Sequence, residues 1–130
     1  MTHSAQNPLK VLVVDDSDTF RSALISYLEK QDGIEVVEEA KSAREAFLFA
    51  RLLAPHLVLM DISMPGLSGL DGAAFIKQSS PSTRVVFVSI HDEETYRNTM
   101  RDLHVDGFVS KNNLTRDLPE LLRRFKKELT

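Results

Sequence analysis

Four short apolar runs in this 130-residue chain end on side chains able to do chemistry. Lys10–Val14 leads into the acid pair Asp15 and Asp16, and Leu57–Met60 leads into Asp61. Arg84–Val88 ends on the hydroxyl of Ser89, and Gly107–Val109 stops just short of Lys111. Three carboxylates brought together repel one another and raise one another's pKa. A hard divalent cation relieves that repulsion, and oxygen-only ligands with no His or Cys beside them favour Mg2+ over zinc or copper. A carboxylate next to Mg2+ and a lysine is placed to attack a phosphoryl group and form an acyl phosphate. The cation, Lys111 and Ser89 would then stabilise the transferred oxygens.

That chemistry requires the run ends to meet in space. The stretch LVLMDISMPG, Leu57–Gly66, is a continuous apolar run stopped by a Pro65–Gly66 turn, which suits a strand buried on both faces. Lys10–Asp15, Ile34–Val37, Arg84–Ser89 and Gly107–Val109 read as four more strands. Between them lie helical patterns. Ser17 or Asp18 caps a first helix with Phe20, Ala23, Leu24, Tyr27 and Leu28 on its apolar face, and Asp32–Gly33 stops it. Ser42 caps a second with Ala43, Ala46, Phe47, Ala50 and Leu53, ended by Pro55. Leu70–Gln78 is a third, weakened by Gly72, and a fourth starts at Asp92 or Glu93 and carries Tyr96, Met100 and Leu103. Leu114–Leu129 is the last and most regular, with Pro119 marking its first turn. This alternation predicts an α/β fold: one doubly wound, five-stranded parallel sheet with five helices and the flavodoxin-like order 2-1-3-4-5. Open sheets of this kind keep ligands at the carboxyl ends of their strands.

Composition narrows the rest. A net charge of -3 and a pI near 5.8 argue against a nucleic-acid-binding surface on this segment. No apolar run approaches the ~20 residues of a membrane span. With no cysteine, disulfides and thiolate chemistry are absent, and the cytoplasm is the expected location. Met1–Pro8 reads as a loose polar tail without signal-peptide features, and residues 9–130 as one domain. His3, His56 and His104 lack metal-ligand spacing, and His91 reads as a loop histidine.

The motifs VLVVDDS, LVLMDISMPG, VVFVSIHD and GFVSK, in this order and spacing, resemble the receiver domain of bacterial response regulators, the CheY-like fold. The match runs from about Lys10 to Glu128. The resemblance implies that Asp61 accepts phosphate from a sensor histidine kinase or phosphotransfer protein. It implies Mg2+ held by Asp15, Asp16, Asp61 and the backbone carbonyl of Ser63. It makes Ser89 the switch hydroxyl, Lys111 the phosphate-contacting base and Phe108 the aromatic switch residue. Phosphorylation would then be read out on the face of the fourth helix, fifth strand and fifth helix, including Tyr96, Phe108, Arg116 and Arg123, by a second copy or an output partner. The SIHDEE and DISMPGLSGLDG stretches look most like receivers of the NarL/FixJ type, which commonly precede a helix-turn-helix DNA-binding domain; none is expected within these 130 residues. Three departures stand out. Ile90 follows the switch serine where a small residue is usual and is expected to narrow access to the phosphate. Asn112 follows Lys111 where many members have proline, and Phe108 lacks the tyrosine hydroxyl of some relatives.

Two other readings use the same residues. Asp16-Ser17-Asp18-Thr19 is similar to the DxDxT nucleophile motif of haloacid-dehalogenase-like phosphatases, with Asp16 as nucleophile and Asp18 as general acid. A phosphate-independent interaction module on the same fold is the third.

Overall fold

The computed structural model describes residues 7–63 and 68–129. The Pro65–Gly66 turn and most of the N-terminal tail lie outside the described residues. Five strands, β1 (Leu9–Val14), β2 (Ile34–Ala40), β3 (Leu57–Asp61), β4 (Arg84–Ser89) and β5 (Gly107–Ser110), form one sheet. All pair in parallel, in the order β2-β1-β3-β4-β5. They alternate with α1 (Asp18–Glu29), α2 (Ala43–Leu53), α3 (Gly69–Ser79), α4 (Glu93–Leu103) and α5 (Leu114–Lys127).

Strand side chains alternate between the two faces, so each central strand supplies both halves of the core. Leu12, Val14, Val58, Met60, Val85 and Phe87 pack with Ala43, Ala46 and Ala50 of α2 and Ala73 and Ile76 of α3. Val11, Val13, Leu57, Leu59, Val86, Val88 and Val109 pack with Leu24 and Leu28 of α1 and with Leu118, Leu122 and Phe125 of α5. Burial on both faces explains why the central strands read as unbroken apolar runs. Gly72 sits where α2 crosses α3: a Cβ there would come within 3.0 Å of the Ala43 Cβ and 3.2 Å of Met60 Cε. The helix weakness read at this glycine is what lets the two helices approach.

Several local expectations are revised. β2 continues past Val37 to Ala40, because a bulge between Val11 and Leu12 shifts its register and pairs Glu39 with Val13 and Ala40 with Val14. Ala23 of α1 is exposed and Arg21 is buried in its stead, with Leu24 and Leu28. Leu53 is exposed, since α2 is already ending there. Pro119 lies inside α5, which begins five residues earlier at Leu114, so it does not mark the first turn. No peptide bond among the described residues is cis.

Ala54 closes α2 in the left-handed region, φ 47°, with its N–H on the Ala50 carbonyl, just ahead of Pro55. A Cβ is strained in that region, by ~1 kcal/mol or more, and glycine is not. Ala54→Gly is therefore expected to stabilise the fold by about 0.5–1 kcal/mol in urea unfolding, despite the looser unfolded chain.

Candidate functional site

The carboxyl ends of β1 and β3 lie side by side, and their acids meet. Asp15, Asp16 and Asp61 each place a carboxylate oxygen within 4.8 Å of the others, which is a spacing suited to one cation. Asp15 and Asp61 are buried, at 1% and 3% exposure, whereas Asp16 opens to solvent. Lys111, in a short 3-10 turn (residues 111–113) between β5 and α5, extends its ammonium back over the pair. Its Nζ is 2.9 Å from Asp15 Oδ2 and 3.6 Å from Asp61 Oδ2, and 4.3 Å from the centre of the Phe20 ring.

Backbone N–H groups hold one carboxylate oxygen of Asp15 and one of Asp61. The Ser17 N–H donates to Asp15 Oδ1 at 2.8 Å, and the Ser63 N–H donates to Asp61 Oδ1 at 2.9 Å. The Asp15 N–H donates to the Ala40 carbonyl at 3.0 Å. Asp15 Oδ2 is different. It is buried and accepts no well-aligned hydrogen bond; the Lys111 ammonium meets it as a charge only. A buried oxygen with no hydrogen bond, aimed into a cluster of oxygen donors, fits a hard cation, so the residues present could hold a metal ion. Behind Asp61 the chain is closely packed, since a Cβ on Gly69 at the start of α3 would overlap the Asp61 carbonyl oxygen.

Ser89 and Phe108 make no hydrogen bond or ring contact with the acids or Lys111. Asp61 pairs with Val88 across the β3–β4 ladder, so Ser89 lies one residue further along the neighbouring strand. It is fully buried, and its Oγ accepts the His91 N–H at 3.0 Å. Phe108, three residues before Lys111, is half-buried against Tyr96, with the rings stacked 6.3 Å apart. Ile90 is 60% exposed at the mouth of the loop after β4.

Two contributors escaped the sequence reading. Arg21 is buried and donates from Nη1 to the Asp15 carbonyl at 2.7 Å, while Phe20 lies under the Lys111 ammonium. The available signal was the spacing Arg21, Leu24, Leu28, an i, i+3, i+7 stripe with a cation in an apolar position.

Electrostatics separate the acids. Burial pushes the Asp61 carboxyl above its usual value of 3.8, and the negative Asp15 adds to the push; the Ser63 N–H and Lys111 oppose it. A carboxyl raised in the folded state binds its proton more tightly there than in the unfolded chain, so ionising it costs stability as pH rises. Asp61→Asn is thus expected to melt at a higher temperature than wild type in EDTA at pH 7. The gap should close as pH falls below about 4, where both states are protonated; thermal melts across that range check it. Asp18 goes the other way. Its hydrogen bond to Arg21 holds it below the ordinary carboxylate range, with Lys41 and the Arg21 charge contributing.

A family model described as the response regulator receiver domain matches residues 11–123. The chain is 34% identical over 115 residues to the response regulator GacA of Pseudomonas protegens, covering 88% of this chain and 54% of that protein. It is 37% identical over 119 residues to the response regulator protein VraR of Staphylococcus saprophyticus, covering 90% and 56%. It thus spans about half the length of these curated relatives. The isolated receiver domain of RcsB from Salmonella enterica serovar Typhimurium, solved in the presence of phosphomimetic BeF3−, superposes with a TM-score of 0.83. That pair is 25% identical and covers 93% of this chain and 90% of the RcsB chain. Three converging acids, the lysine above them and these likenesses place the chain in the response regulator receiver domain family, the signalling switches of two-component systems.

Proposed function

We propose that residues 9–130 form one receiver unit that takes a phosphoryl group onto Asp61 from a sensor histidine kinase or phosphotransfer protein. The observation that carries this is the Asp15–Asp16–Asp61 cluster with Lys111 over it. Asp15, Asp16, Asp61 and the Ser63 carbonyl would hold Mg2+, which when bound neutralises the acids and the phosphoryl oxygens. The chain's own part is positional. The Ser63 N–H fixes the Asp61 carboxylate, one of whose oxygens forms the new bond to phosphorus. The bond from phosphorus to the donor nitrogen breaks, and its electron pair stays with the imidazole. Lys111 is in place to meet a phosphoryl oxygen. The protein catalyses its own phosphorylation and dephosphorylation in this reading and turns over no separate substrate.

The product carries about two negative charges where Asp61 carried one, with strong acceptor oxygens. Ser89 would give up the His91 N–H and donate its own hydroxyl hydrogen to one of them, drawing the loop after β4 inward. Phe108 and Tyr96 stack directly beyond that loop, so the movement is read out on α4, β5 and α5, where a second copy or an output partner docks. Shifting such an equilibrium from 1:99 to 99:1 takes ~5.5 kcal/mol of differential stabilisation. The NarL/FixJ resemblance points to control of an attached DNA-binding domain in a cytoplasmic transcription regulator.

The phosphatase reading fails on Asp18. A carboxyl held ionised by Arg21 is a poor general acid, and Phe20 occupies the threonine position of the DxDxT motif. The phosphate-independent module leaves the assembled acids and Lys111 without a role.

Incubation with acetyl phosphate and Mg2+ should give a labile adduct of about 80 Da by intact mass, from one phosphoryl group. It should be absent in Asp61→Asn and in EDTA. An adduct of equal yield in Asp61→Asn overturns the assignment. On the expectation that Ile90 narrows access to the phosphate, Ile90→Ala should form the adduct faster than wild type in a time course.

A further inference from the structure

We infer that Arg21 is a positioning residue for the metal pair, holding the Asp15 backbone so that the Asp15 and Asp16 carboxylates stay turned toward Asp61. The inference rests on the reading that these acids bind Mg2+. Arg21 is 5% exposed, an unusual burial for an arginine. Its fork spends three donors on three separate segments: Nη1 on the Asp15 carbonyl at 2.7 Å, Nε on Glu39 Oε1 of β2 at 2.6 Å, and Nη2 on Asp18 Oδ1 at 2.5 Å.

The two acids do not require that burial. Asp18 and Glu39 are 77% and 48% exposed and could pair with an arginine lying in solvent. What an inward guanidinium adds is the hydrogen bond to the Asp15 carbonyl, the buried member of the three. The consequence falls on Asp15. Its N–H is on Ala40, its carbonyl on Arg21 and its Oδ1 on the Ser17 N–H. Only Oδ2 is left without a hydrogen bond, and it faces the site. The fork therefore completes a set of contacts that leaves Asp15 one orientation and sets the turn into Asp16. The bulge in β2 contributes by bringing Glu39 level with Val13, on the α1 side of the sheet, as an anchor for Nε. Groups behind metal ligands commonly alter affinity ~10–100-fold when removed.

The test is calorimetric titration of the unphosphorylated full chain with MgCl2 at about 10 °C, a temperature near the usual stability maximum, with thermal melts in EDTA run in parallel. Wild type should bind, and Asp15→Asn should not. Arg21→Met should bind ~10–100-fold more weakly. Leu24→Ala, which opens a void in the core under the same helix, should lower the melting temperature and leave Mg2+ affinity unchanged, separating loss of stability from loss of positioning. Should Arg21→Met not fold, Arg21→Lys, which keeps the charge without the fork, is expected to bind several-fold more weakly than wild type. Wild-type affinity in the folded Arg21→Met, or in Arg21→Lys where that variant alone folds, overturns the inference. Absence of Mg2+ binding by wild type overturns the metal reading itself, and this inference with it.

Discussion

Three carboxylate oxygens confined within 4.8 Å of one another set the terms for this molecule. At that range, with an effective dielectric near 20, the buried Asp15 and Asp61 charges repel by roughly 3 kcal/mol, while water screens the exposed Asp16. Lys111 offsets part of this, and Asp61 yields part by holding its proton more tightly. The Arg21 charge is shared with Asp18 and Glu39. The site is therefore short of positive charge, and a folded chain that tolerates this deficit is one that gains from a cation. The sheet makes the confinement possible, because adjacent parallel strands deliver their ends to one edge and both faces are sealed by helices.

The acids and the groups that face them are drawn from different halves of the sheet. β1 and β3 hold the acids, with backbone N–H groups locking one oxygen of Asp15 and one of Asp61. β4 ends on Ser89, whose Oγ accepts the His91 N–H, and the turn after β5 carries Lys111, which is held by ion pairs to Asp15 and Asp61. Lys111 stands in the turn that leads into α5, and Phe20 beneath it lies in the first turn of α1. Lys111 thus bridges the two helices that cover the same face of the sheet.

Much of this was legible in the residues. Strands buried on both faces announce themselves as unbroken apolar runs, so Leu57–Met60 and Val85–Val88 were plain, and the chemistry at their ends followed. The edge strand was harder: β2 has one neighbour and carries Glu38 and Glu39, which disguised its length, and the bulge that re-aims Glu39 leaves no mark on the pattern. Arg21 was missed for a physical reason. An arginine on an apolar stripe looks like a break in the stripe unless its acceptors are known, and those acceptors, the Asp15 carbonyl and Glu39, come from other segments. Pro119 misled because proline is favoured in a first turn, whereas here the helix had already begun at Leu114.

Helix α4 contributes no fully buried side chain, unlike the other four α-helices. Tyr96, Met100 and Leu103 only lean against the core from outside. Local opening of such a segment draws on little of the global folding free energy, and its amides belong at the fast end of hydrogen exchange. The same looseness has an evolutionary side. Residues on α4 can be exchanged at small cost to folding, so the outer surface of this helix can drift while the acid cluster and its scaffold stay as they are.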